Sequence, residues 1–205
     1  MGKLKSTTAL AALSIGALHA LPASAVTQNF ANGTGIDFPT SGPETALQTV
    51  ESTLTGDIVD VDVTIEGIES TWSSDLEFFI QSPSGISVEL MTNLFFGLDW
   101  TGEDITFDDE APTDIRTSDA GIAGTFQPEG LLSDFDGETA LGLWTLTFRD
   151  AAEDDFAEIT GWSITITDDS GGQGPGSAVP LPASLPLALA GLGAFGALRR
   201  RRKKD

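Results

Sequence analysis

Asp57-Ile58-Val59-Asp60-Val61-Asp62-Val63-Thr64-Ile65-Glu66 is the stretch on which the fold turns. Side chains of a β-strand alternate between the two faces of its sheet. Val59, Val61, Val63 and Ile65 are therefore expected on one face, and Asp60, Asp62, Thr64 and Glu66 on the other. A strand of this kind packs one side on a core and leaves the other wet.

The same period of two recurs outward from this stretch. Leu76, Phe78 and Ile80 alternate up to Ser82-Pro83-Ser84-Gly85, a turn sequence, and Ile86, Val88 and Leu90 resume against Ser87 and Glu89, which predicts a hairpin. Trp144, Leu146 and Phe148 alternate with Thr145, Thr147 and Arg149, and Trp162, Ile164 and Ile166 with Ser163, Thr165 and Thr167, so both segments are expected as core strands. Gly121 to Gln127 is expected to add a strand. Asn93 to Thr117 has little periodicity beyond Ile105 and Phe107, and is expected as a long acidic functional loop. Several short strands with Gly-rich turns, and no competing helical stretch, predict an all-β, two-sheet sandwich or jelly roll.

The two ends follow other rules. Lys3 and Lys5 precede an apolar run, and Ala23-Ser24-Ala25 supplies a small-x-small cleavage pattern, so residues 1–25 are expected to be a signal peptide cut after Ala25. Residues 170–178 form a Gly-rich linker. Val179 to Leu198 is free of charge, and at about 1.5 Å per residue a helix of that length spans a hydrocarbon core of roughly 30 Å. Arg199 to Lys204 then form a basic stop that stays on the cytoplasmic side of the inner membrane. The domain in between, residues 26–169, is expected outside the cell.

Between residues 26 and 198 only Arg116 and Arg149 are basic, against 30 acidic residues, a formal charge of −28. Such a surface repels nucleic acid, whose phosphates need basic contacts that release counterions. It also repels itself unless salt or bound cations screen it, so calcium or a saline habitat is expected. The chain has no cysteine, which excludes disulfides, thiol catalysis and thiolate metal sites.

The tail resembles the bacterial PEP-CTERM sorting signals in their VPLPA variant, with Val179, Pro180, Leu181, Pro182 and Ala183 followed by an apolar helix and a basic stop. That resemblance implies processing by an exosortase-type membrane peptidase; a plain membrane anchor is the alternative. The domain resembles the P domain, or Homo B domain. The likeness lies in Ile58 to Val63, Ser74-Asp75-Leu76 leading into Gln81 to Gly85, Thr106 to Ala111, Gly124 to Gly130, Gly142 to Leu146 and Gly161 to Ile164. It implies an eight-stranded jelly-roll sandwich, galactose-binding-like in class. It also implies association with proteolysis, because this domain follows the subtilisin-like serine endopeptidase domain in kexin, furin and many bacterial secreted proteases.

Catalysis itself is not expected. Hydrolysis of the subtilisin type needs a serine, a histidine base and an aspartate that orients it. The one histidine, His19, leaves with the signal peptide, and no lysine lies between Lys5 and Lys203. Only carboxylate chemistry remains, and among 30 acids some pair falls within about 5 to 10 Å by chance. The expected function is a binding or structural module at the cell surface; the alternative is an accessory domain acting in trans on a secreted serine endopeptidase.

Asp108, Asp109 and Glu110 are three consecutive carboxylates in an expected loop, a set that a hard cation seeking six to eight oxygens can gather. Asp75 and Asp150, at strand ends, complete that calcium shell if the sandwich brings the ends together. A solvated acidic loop is the alternative. Asp134-Phe135-Asp136-Gly137-Glu138 lacks the full calcium-loop pattern and is expected as a turn. Trp144 and Trp162 are in phase with the core. Trp72 and Trp100 lie near expected loops and are either partly buried or available to a surface polysaccharide or a protein partner.

Overall fold

The computed structural model describes residues 25–39, 43–94, 99–117 and 123–170. The signal segment up to Ser24, the linker from Gly171 and the sorting tail lie outside the described residues.

The described chain is built of strands in the order β1 (Val26–Asn32), β2 (Ile36–Phe38), β3 (Glu44–Ser52), β4 (Ile58–Ser70), β5 (Leu76–Gln81), β6 (Ser87–Thr92), β7 (Trp100–Phe107), β8 (Gly124–Phe126), β9 (Gly142–Asp150), β10 (Ala157–Ile159) and β11 (Gly161–Asp168). Short 3-10 turns at Ser73–Asp75, Ile115–Thr117 and Leu132–Phe135 interrupt them. Among the described residues the strands number eleven where the resemblance implied eight, and β2, β8 and β10 are only three residues long each.

One sheet of seven strands has the order β1-β11-β4-β10-β2, with β7 also on β4 and β8 on β7; the other has the order β3-β9-β5-β6. All pairings are antiparallel except β7 with β8. The inward faces meet in one apolar core, where Val61, Val63, Ile65, Trp162, Ile164 and Ile166 of the first sheet join Phe78, Ile80, Trp144, Leu146 and Phe148 of the second. Phe148 stacks on Phe78 within its own sheet at 4.7 Å and on Phe38 of the other sheet at 4.6 Å. Such offset aromatic contacts add specificity to the burial that drives the packing.

The expected hairpin is β5–β6, its turn closed by the Gly85 N–H donating to the Ser82 carbonyl at 3.0 Å. Gly85, at φ +94, takes a left-handed conformation that a side chain disfavours. The Asp134 to Glu138 segment is a turn, as expected, and docks on the start of β4, where Ile58 exchanges backbone hydrogen bonds with Gly137 and Glu138.

Two expectations are corrected. Val59 is exposed and Ile58 takes the core position instead. The register of β4 against β11 slips between Thr167 and Asp168, so Asp60 pairs with Thr167 and Ile58 with Asp168, leaving Val59 as the bulged residue. Asn93 to Thr117 is not one loop, because it contains β7, with Trp100, Ile105 and Phe107 buried. Gly102, at φ +110, and register shifts against β4 switch the parity of buried positions within β7 and erase the period of two.

β4 is the spine of the molecule. Its far half bends at Gly67, where φ is +56 and an added Cβ would overlap the Thr160 side chain. Thr160 donates both its N–H and its hydroxyl to the Glu66 carbonyl, at 2.9 and 3.0 Å. This bend lets β11 and then β10 run along the same edge of β4.

Candidate functional site

The acidic residues singled out in the sequence gather at two places, one near each end of β4. From Asp62 to Ser70 the strand covers roughly 26 Å at about 3.3 Å per residue. β7 starts opposite Ser70 and ends opposite Val63, so Asp108 emerges beside Asp62. Asp75 and Asp150 belong to the other end, where Thr71 of the β4 exit donates its N–H to the Phe156 carbonyl. The single shell expected from Asp75, Asp108, Asp109, Glu110 and Asp150 is therefore two separate clusters.

At the first, the three consecutive carboxylates form a tight turn in which the Ala111 N–H reaches the Asp108 carbonyl at 3.1 Å. The Asp108 side chain accepts the Glu110 N–H at 2.7 Å. Asp109 spends both oxygens on the backbone of the 3-10 turn at Leu132–Phe135, accepting from Leu132 N–H at 3.0 Å and Ser133 N–H at 2.8 Å. Asp109 thus acts as an N-terminal cap supplied from a distant loop, satisfying donors that a helical start leaves orphaned. Burial, followed by the charges of Asp60, Asp108, Glu110 and Asp109, pushes the Asp62 carboxyl up to about 6. Glu110 is also raised, first by its side-chain hydrogen bond with Asp108, and Asp136 is raised first by burial. Like charges confined together favour the neutral acid.

At the second cluster, Leu76 at the start of β5 pairs with Asp150 at the end of β9, and the Ala151 N–H donates to the Asp75 carbonyl at 2.8 Å. Asp150 is 2% exposed and accepts the Ala152 N–H at 3.2 Å. The chain then turns through Asp154, at φ +71, and returns Asp155 toward Asp75. Both carboxylate oxygens of Asp155 are closed to solvent and have no hydrogen-bond partner. Burial raises the Asp155 carboxyl, and the Asp75 charge adds to the shift; Asp150 is raised first by burial as well. Thr71, Trp72, Asp75, Glu153, Asp154 and Asp155 line an open cleft of about 410 Å³.

Asp155 was missed in the sequence because it ends an acidic run, Glu153-Asp154-Asp155, that reads as solvated surface. Of the tryptophans, Trp144 and Trp162 are fully buried, Trp100 is 2% exposed and belongs to the core, and Trp72 is 47% exposed on the cleft wall.

Among the described residues, no three side chains of His, Cys, Asp or Glu are arranged to hold a metal ion by themselves. Among the described residues, no helix is long and apolar enough to cross a membrane.

The family model for the proprotein convertase P-domain matches residues 58–166, and that for the PEP-CTERM protein-sorting motif matches residues 178–203. Among solved structures, the chain is similar to a serine protease of Aeromonas sobria, known alone and in complex with its chaperone. The two share 14% identity over 74% of this chain and 28% of that one, with a TM-score of 0.39. Similarity to PfGH50B is 11% in identity over 69% of this chain and 22% of that one, with a TM-score of 0.37. This chain therefore spans less than a third of the length of those solved chains. No curated protein matches it.

Proposed function

The chain belongs to the proprotein convertase P-domain family, and from that premise we propose that it is a non-catalytic binding or structural module of the cell envelope, stabilised by calcium. The observation that carries this reading is chemical. Between Val26 and Arg202 there is no histidine, cysteine or lysine, so no serine or threonine hydroxyl has an imidazole or amine to activate it and no thiol nucleophile exists.

The sorting motif implies export and association with the envelope. In this reading an exosortase-type peptidase acts near Val179 to Ala183, the apolar segment holds the chain in the inner membrane at least transiently, and the two sheets form a jelly roll of the galactose-binding-like class. Calcium supplies the counter-charge that 30 acids against two arginines demand.

The purified protein is expected to hydrolyse neither casein nor glycosidic substrates. A hydrolytic activity abolished by changing one carboxylate would overturn the non-catalytic reading. Mass spectrometry of the surface-exposed product is expected to find the basic C-terminus removed; an intact Arg199 to Asp205 end would contradict processing.

One observation favours the second reading, an accessory role in trans. Leu47 and Leu143, 66% and 56% exposed, both lie on the outer face of the four-stranded sheet, β3 beside β9. They stand four register positions apart, about 13 Å at about 3.3 Å per residue, on a face that a protein partner could cover. Capture of a secreted subtilisin-like protease by the wild type, lost in Leu47→Asp with Leu143→Asp, would select this reading over a free-standing module.

A further inference from the structure

At one corner the two sheets meet through side-chain amides. Asn32, the last residue of β1, donates its Nδ2–H to the Thr49 carbonyl of β3 at 3.2 Å, and Gln48 of β3 donates its Nε2–H back to the Thr34 carbonyl at 2.7 Å. β1 is an edge of the seven-stranded sheet and β3 an edge of the four-stranded one. Among the described residues no backbone ladder joins these two strands, so the pair of amides acts as a polar clasp between them.

Of the three asparagines of the chain, Asn32 alone precedes a glycine, Gly33; Asn29 precedes Phe30 and Asn93 precedes Leu94. An asparagine side chain is open to attack by the backbone nitrogen of the next residue, and glycine leaves that nitrogen unshielded because it has no Cβ. At Gly33 an added Cβ would meet nothing within 4 Å, Gly33 and Thr34 are exposed, and the Gly33 N–H takes no part in the turn and loop hydrogen bonds. The Thr34 N–H donates to Asn32 Oδ1 at 3.0 Å. That contact folds the side chain back over the Gly33 amide, as in an Asx turn, and puts a donor on the oxygen that gains charge when the carbonyl is attacked.

We propose that Asn32 is a self-modification site whose conversion opens the clasp. The Gly33 nitrogen attacks Asn32 Cγ and gives up its proton, the Cγ–Nδ2 bond breaks, and Nδ2 takes up a proton and leaves as ammonia. Water then adds to either carbonyl of the succinimide and opens the ring, giving aspartate or isoaspartate, whose main chain runs through the former side chain. Water is the only co-reactant, and nothing is oxidised or reduced. Either product replaces a donor by a carboxylate at the Thr49 carbonyl, and isoaspartate also lengthens the main chain by a methylene opposite Trp162. The corner has little to compensate, since Gln48 Oε1 is itself closed to solvent without a hydrogen-bond partner.

The test ages the purified full-length protein in mildly alkaline buffer at physiological temperature and follows each asparagine by peptide mass mapping, with isoaspartate detected by enzymatic methylation. Asn32 is expected to convert at least about tenfold faster than Asn29 or Asn93, and Gly33→Ala to slow it by a similar factor. The converted protein is expected to melt roughly 3 to 6 °C lower, the size of one lost hydrogen bond in a domain of this length, and Asn32→Asp to reproduce the shift without ageing. Conversion of Asn32 in a denaturant-unfolded sample but not in the native one would show that the fold shields this amide, and would overturn the site. Native conversion that leaves the melting temperature unchanged would overturn the opening of the clasp.

Discussion

Asp62 stands among four other carboxylates, and its acid group titrates at about 6 instead of the ordinary 3.8, chiefly because burial disfavours its charge. An acid with a folded-state value above its unfolded one binds its proton more readily in the folded state. Its contribution to stability therefore grows as pH falls through about 6 and levels off below about 3.8. Asp62→Asn is expected to stabilise the domain at pH near 7.5, by up to about 1 kcal/mol once solvent screening of a half-exposed group is allowed for, and to flatten the melting temperature between these values. A variant less stable than wild type at that pH would contradict the repulsion. Gly67→Ala is expected to cost more than about 1 kcal/mol in chemical denaturation, because it puts a Cβ against Thr160 at a left-handed φ. At this scale the sequence was readable where one side chain decides its own fate, as at Val61, Val63 and Trp144. It was not readable at Val59, whose exposure is set by a slip against Thr167 and Asp168 more than a hundred residues away.

An element's legibility followed from how regular its partners let it be. β9 kept a clean period of two and could be read directly, and so could the apolar positions of β5, β6 and β11 despite a register slip between Phe78 and Phe79 that buries Met91 beside Leu90, whereas β7 was lost in an acidic stretch because Gly102 and its bulges against β4 reverse the parity of its buried side chains. The Asp108 to Glu110 turn is the reverse case, an acidic run that reads as a cation loop but whose central member supports another element. Replacing Asp109 by alanine orphans the Leu132 and Ser133 N–H groups and is expected to cost about 1 to 2 kcal/mol in urea unfolding. Asp134→Ala, an exposed change in the same turn, is expected to stay within about 0.5 kcal/mol. Equal effects of the two would mean that Asp109 is only a surface charge.

Across the whole molecule, the acid excess could be counted from the sequence, but its division into two centres could not. Asp75 and Asp155 meet only because β5 and β9 pair end to end and the turn after Asp150 folds back, a tertiary result with no local signature. The two centres separate two kinds of salt response. Diffuse repulsion among exposed carboxylates is screened by any ions, since the Debye length falls from about 30 Å at 0.01 M to about 10 Å at 0.1 M. A bound divalent cation acts at one place instead, by coordinating oxygens directly. In chelator, raising sodium chloride over this range is expected to raise the melting temperature, the diffuse part. Calcium added on top is expected to raise it further and saturably. If sodium alone brought wild type to the stability it reaches with calcium, the domain would be held by screening throughout, and the acids at both ends of β4 would serve as one solvated surface.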